Sequence, residues 1–241
     1  TLTQYLQNIV YDFQEEVTGG SDLPFSIRSE VRMLYNPQLK GAYNFVPGVM
    51  AMVLMLVCTL MTSIAIVREK ETGTMEVLLA SPLQPYLVIF AKSTPYLLLS
   101  AVNIASILLL SVFVLGLPIA GNLLLLITLS LLFTITCLSL GMLISSVTAS
   151  QQTAMLISLM GMFLPTLMLS GFMFPIENMP LPLKALSHIV PARWYFHIVK
   201  GVMIKGVGLE MIWKETLILV AMTMLFLGMS IKKFKLRLNE N

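Results

Sequence analysis

Five apolar runs of about 20 residues leave this chain few folds to adopt, because that is the length at which a helix crosses a hydrocarbon core. They cover residues 46–67, 87–115, 122–144, 153–174 and 211–231. Each is apolar on every face, whereas a transmembrane barrel reads as alternating segments of about 10 residues. Only 11% of the chain is charged and 57% is hydrophobic, against roughly 25% charged in a water-soluble domain. The fold class is therefore an all-α polytopic membrane protein with five transmembrane helices, occupying residues 46–241. Pro47-Gly48 opens the first span. Pro95 is predicted to split the long second run into an interfacial entry helix carrying Lys92 and a spanning part. Pro165 and Ser170-Gly171 predict a kink in the fourth.

The polar ends read differently. Residues 1–45 hold five acids against three bases, with helical spacing in Leu6, Ile9, Val10 and Phe13. Gly19-Gly20 breaks that pattern, and residues 26–35 alternate like a strand. This predicts a partial N-terminal α+β domain, too short to hold a core alone. The chain begins with Thr in mid-domain, so it reads as a fragment. Lys232, Lys233, Lys235 and Arg237 form a basic cluster beside the last span, suited to an anionic cytoplasmic leaflet. Nucleic acid is not an expected partner of so small a cluster. Cys58 and Cys137 lie in apolar runs and read as buried thiols, without a disulfide or a metal framework. His188 and His197 have no further ligands near them in sequence, so no metal is expected.

Residues 68–82, REKETGTMEVLLASP, separate the first two spans. Arg68, Glu69, Lys70 and Glu71 alternate in charge; Thr72 or Thr74 is positioned to cap a helix, and Glu76 adds an acid to its first turn. Met75, Val77, Leu78 and Leu79 give that helix an apolar side, and Ser81-Pro82 stops it. Such a helix, over about 72–81, is either an ordinary amphipathic connector or a docking element for a partner in the cytoplasm. Residues 175–210 form the other unusual connection. Prolines at 175, 180, 182 and 191 separate short amphipathic runs bearing Trp194, Tyr195 and spaced lysines, a pattern of helices at the headgroup layer.

The pattern R-E-K-E-x-G-T-x-E-x-L-L-x-x-P after a long first span resembles the cytoplasmic loop of type 2 ATP-binding-cassette (ABC-2) exporter permeases. Tyr35-Asn36-Pro37 before FVPGVMAMVL is similar to the end of that family's external domain. Ser170-Gly171-Phe172, Phe174-Pro175 and Pro191-Ala192-Arg193-Trp194-Tyr195 resemble its kinked helix and external re-entrant hairpin. The resemblance implies the subgroup with a large external domain after a first helix, and this chain lacks that helix. It implies an exporter permease in the inner membrane, with a cytoplasmic C-terminus and residues 1–45 and 175–210 outside. Partners would be cytoplasmic ABC ATPase subunits, a second permease half in a homo- or heterodimer, and the lipid bilayer. This chain would bind no cofactor, ATP-Mg residing on the partner subunit.

By that resemblance Arg68, Glu69, Lys70, Glu71, Thr72, Gly73, Thr74 and Glu76 form the segment that docks on the ATPase. Gly73 would permit the turn into the coupling helix. Pro175, Pro191, Arg193, Trp194 and Tyr195 become candidates for an external gate. Asn103 and Ser170 are candidates for the translocation path, set against ordinary helix packing. No catalytic residue is expected. An intramembrane hydrolase or an ion-coupled carrier would instead need ionisable groups within the spans, and the first, third and fourth runs contain no Asp, Glu or His.

Overall fold

A computed structural model describes residues 5, 6, 8–10, 12, 13, 16, 35–38, 40–74 and 85–239, with backbone alone for 85–90, 92 and 234–239. The chain divides into two units, Thr1–Lys40 and Gly41–Asn241, so the boundary falls before residue 45. In the first unit, the described residues between 5 and 16 are helical. Asn36 closes the turn around Pro37, its amide donating to the Lys40 carbonyl and its oxygen accepting from the Lys40 N–H, both at 2.9 Å. The strand expected over 26–35 lies, apart from Tyr35, outside the described residues.

The second unit is a helical bundle. Its long elements are α1 (Ala42–Glu71), α2 (Pro85–Phe113), α3 (Leu123–Val147), α4 (Gln151–Leu169) and α7 (Leu209–Asn239). Between the last two lie α5 (Leu181–Ser187) and α6 (Pro191–Val199), the latter running on as a π turn, Lys200–Ile204. Among the described residues, five helices are long and apolar enough to cross a membrane, as expected of a multi-pass membrane protein.

The helices outrun the apolar sequence that announces them. The first run, expected to close at Val67, continues as helix through Glu71. The last, expected to end at Ile231, continues through the basic tail to Asn239. Both extensions lack proline and glycine and contain strong helix formers, so the backbone ladder persists beyond the apolar stretch. Pro95 does not break α2, which is continuous. The fourth run is shorter than expected, stopping at Leu169, and Gly171 turns the chain with φ at +87°.

α1 and α3 form the centre. Half of the most apolar stretch of α1 and 56% of that of α3 are buried, against 22% in each of the other three. The two approach closely at Gly141, where a Cβ would stand 2.7 Å from the Thr59 carbonyl oxygen. Thr59 Oγ1 donates to the Cys137 carbonyl there, at 3.2 Å. With little hydrophobic drive between helices in lipid, such close backbones and small hydroxyls hold the pair. On the flanks, Cys58 Sγ and Ser100 Oγ join α1 to α2 at 2.9 Å, and the Thr136 and Thr223 hydroxyls join α3 to α7 at 2.7 Å.

α4 runs antiparallel along α1, and their contacts climb in step. Glu71 meets Gln151, the Ser63 and Ser158 hydroxyls meet at 2.9 Å, Thr166 Oγ1 donates to Met55 Sδ at 3.3 Å, and the Phe172 ring fills the notch at Gly48. A Cβ on Gly48 would lie 1.9 Å from that ring. The expected distortion of α4 takes the form of a π turn, Leu159–Phe163, just before Pro165. Proline has no N–H to return to the carbonyl four residues back and its ring crowds that turn, and a wider turn relieves both.

Candidate functional site

The segment 68–82 is built as two parts. Arg68–Glu71 is the last turn of α1, and Thr72 ends it as a C-cap. Of the two threonines expected as caps of the next helix, Thr72 instead closes α1. Its N–H and its hydroxyl both donate to the Arg68 carbonyl at 3.0 Å, which fills an orphan acceptor at a helix end rather than an orphan donor at a helix start. Gly73 follows with φ at +72° and open space around it, so the left-handed turn itself selects glycine. Thr74 donates to the Glu69 carbonyl at 3.3 Å. Glu76 and the rest of the expected coupling helix lie outside the described residues.

Two members of the charged turn bond to other helices, Glu71 from an exposed position and Lys70 from a half-buried one. The Glu71 carboxylate accepts from the Gln151 N–H at 2.9 Å and from the Gln151 side-chain amide. The Lys70 ammonium donates to the Ser145 carbonyl in the last turn of α3. Arg68 is exposed and Glu69 half-buried. Gly121, just before α3, lies against Val202, and Gly201 lies against Ile212 at the start of α7. α7 therefore begins where α3 begins, and with the Thr136–Thr223 bond midway its basic end falls at the same end of the bundle as this turn.

The opposite end holds the proline-rich connection. Pro175 precedes a 3-10 turn, Ile176–Asn178, and Pro191 starts α6 at a position where a missing N–H costs nothing. Aromatic and basic residues suggested helices lying at a surface, yet most of α6 is buried. Tyr195 is fully buried, its ring stacked on Phe133 of α3 at 4.1 Å between centroids. Ser130 gives its hydroxyl proton to the Leu126 carbonyl, so the Tyr195 hydroxyl donates to Ser130 Oγ, at 2.7 Å. Arg193 holds α5 to α6, its guanidinium donating to Ser187 Oγ and to the Lys184 carbonyl. Trp194 Nε1 donates to the His188 carbonyl at 3.0 Å. The gate candidates thus serve first to pin the hairpin together and onto α3.

Beside this hairpin Lys200 Nζ donates to Asn44 Oδ1 and Asn44 Nδ2 to the Phe172 carbonyl, both at 3.1 Å, which ties the start of α1 to the turn after α4. Neither Asn44 nor Lys200 was a candidate from sequence, and no local pattern marks residues 156 positions apart. His197 is exposed, yet desolvation by the protein around its ring pushes its pKa below the usual range, and the Arg193 and Lys200 cations add to this against Glu215 and Glu177. A lowered folded value means that the unfolded state binds the proton first. Stability is then complete above about pH 6.5 and falls as pH drops from there through the folded value. Thermal unfolding scans should show this loss below about pH 6.5, and His197→Gln should flatten it.

Ser170, a path candidate, is buried and accepts from the Phe172 N–H at 3.3 Å, so it shapes the turn. Asn103 is half-buried on α2. Two apolar cavities flank Pro165. One of about 480 Å³ is lined by Leu164, Met168, Phe174 and Met179, and one of about 330 Å³ by Met55, Leu140, Met162 and Phe226.

The ABC-2 family transporter protein profile matches residues 1–232. The chain is 32% identical over 237 residues to the probable multidrug ABC transporter permease YbhS of Escherichia coli, covering 98% of this chain and 63% of that protein. It is 32% identical over 219 residues to the probable multidrug ABC transporter permease YbhR of the same organism, covering 91% and 59%. ABC transporter G family member 20 of Dictyostelium discoideum is 28% identical over 188 residues, which are 77% of this chain and 26% of that one. The chain thus spans about three-fifths of the length of its bacterial relatives. No solved structure matches it.

Proposed function

The chain belongs to the ABC-2 family of transporter proteins, and from that membership we propose that it forms the membrane-spanning permease part of an ABC exporter. Separate cytoplasmic ATPase subunits bind and hydrolyse ATP-Mg, and their closure drives the spans between inward- and outward-open arrangements. A second permease half completes the pathway. The bundle sits in the inner membrane with its C-terminus cytoplasmic and the 175–210 connection outside.

The observation that carries this reading is the construction of the charged end of α1. A long apolar helix continues as a rigid charged turn and stops at a glycine whose φ of +72° redirects the chain. A push on the segment after Gly73 therefore acts on a stiff lever. The basic tail at the same end of the bundle agrees with a cytoplasmic face. Arg68, Glu69, Thr72, Thr74 and Glu76 are the docking contacts in this reading, with Gly73 as the bend. The cargo is a small lipophilic or amphipathic compound, consistent with the apolar cavities beside Pro165 and with the multidrug naming of YbhS and YbhR.

The test is co-purification of the full-length permease with its ATPase. Reversing Glu69 and Glu76 to Lys should weaken the association by at least about tenfold, since close charge pairs at an interface exceed the 1.4 kcal/mol that this ratio represents. Undiminished association after the double reversal would sink the docking assignment.

A further inference from the structure

Glu71 stands exposed in the charged turn, with its carboxylate on the first residue of α4. We infer that it is a positioning residue, transmitting displacement of the α1 end directly to the first turn of α4; this rests on the permease reading above. Its carboxylate accepts twice from Gln151, once from the backbone and once from the side chain. Gln151 is the first residue of α4, and its N–H is one of the four donors that a helix start leaves without an internal acceptor. Ser150 fills another of these locally, accepting from the Thr153 N–H at 3.2 Å. A second cap thus comes from a residue 80 positions away, and a negative charge there also suits the helix dipole.

The neighbouring residue repeats the arrangement with opposite sign. Lys70 donates to the Ser145 carbonyl at the end of α3, where helix carbonyls lack partners and a cation is favoured. Acid therefore meets a helix start and base meets a helix end, on the two sides of the short α3–α4 connection. A two-point contact from one carboxylate to one residue fixes direction as well as distance. Farther along, the Ser63–Ser158 bond ties the same two helices again. Tilting the last turn of α1 must carry the first turn of α4 with it, or break these bonds. α4 holds the π turn and borders both apolar cavities, so movement enters the helix that shapes them.

The experiment uses the full-length permease with its ATPase in proteoliposomes, with spin labels at Met160→Cys and Met224→Cys, both exposed positions. Distances are read with ADP and with ATP-vanadate, on the fraction that retains the ATPase. The parent protein should show a nucleotide-dependent shift between the labels. Glu71→Ala should abolish the shift, and Glu71→Gln combined with Gln151→Glu should restore it, because the swapped pair keeps an acceptor for the residue 151 N–H and one amide–carboxylate bond. A purely structural defect would not be rescued by the swap. A full shift in Glu71→Ala, or none regained in the swapped pair, overturns the relay while leaving the permease reading intact. Absence of an ATPase from the parent preparation overturns the permease reading, and the relay with it.

Discussion

Replacing Tyr195 with alanine should destabilise the solubilised protein by about 3–5 kcal/mol, the range for deleting a buried aromatic ring. The ring is fully buried and stacked on Phe133 with an interplanar angle of 4°, so its loss leaves a cavity between α3 and α6 that stiff helices cannot close. It also leaves Ser130 Oγ without the proton that Tyr195 supplies. Tyr195→Phe separates the two contributions. It keeps the stack and should cost about 1 kcal/mol, the net worth of one neutral hydrogen bond. Thermal unfolding in detergent, followed by near-ultraviolet dichroism or by aggregation, reads both variants. Equal midpoints for Tyr195→Ala and the parent would show that the hairpin does not rest on this ring.

The second large effect is expected at Gly141. A Cβ there meets the Thr59 carbonyl oxygen at 2.7 Å and Thr62 Cβ at 3.0 Å. The nearest obstruction is backbone, so it cannot swing aside as a side chain would. Alanine must push α1 and α3 apart by several tenths of an ångström, and leucine must push them much farther. Overpacking of this kind costs about 1–3 kcal/mol and more where the backbone itself must yield. The order glycine, alanine, leucine should therefore be an order of falling stability and falling yield in the membrane. Thr59→Ala should give no relief to Gly141→Ala, because the blocking atom remains. Relief by that substitution would place the clash elsewhere.

Much of this molecule was legible in its hydropathy, and the failures share a cause. Apolar runs report which solvent a helix meets, whereas helix ends are set by hydrogen bonding and by proline and glycine. The number of spans followed from the first, and their boundaries required the second. Arg68–Glu71 lies beyond the last apolar residue of the first run, yet the helix has no reason to stop before Gly73. Aromatic residues among lysines and prolines are also the signature of a membrane surface, and the sequence around Tyr195 does not say that α3 offers Phe133 beneath it. The charged turn itself was found by its alternation. Its division of labour was not, since Gln151 and Ser145 lie far away and a capping partner contributed by another helix leaves no local pattern.

The π turn in α4 also bears on helical phase. Ser158 and Thr166 both face α1 although eight residues separate them. At about 100° per residue a regular helix would set them about 80° apart around its axis. One residue absorbed by the wider turn reduces the offset to about 20°. The turn before Pro165 thus acts as a phase corrector, letting both halves of α4 present a residue to α1 where a regular helix would turn one of them aside.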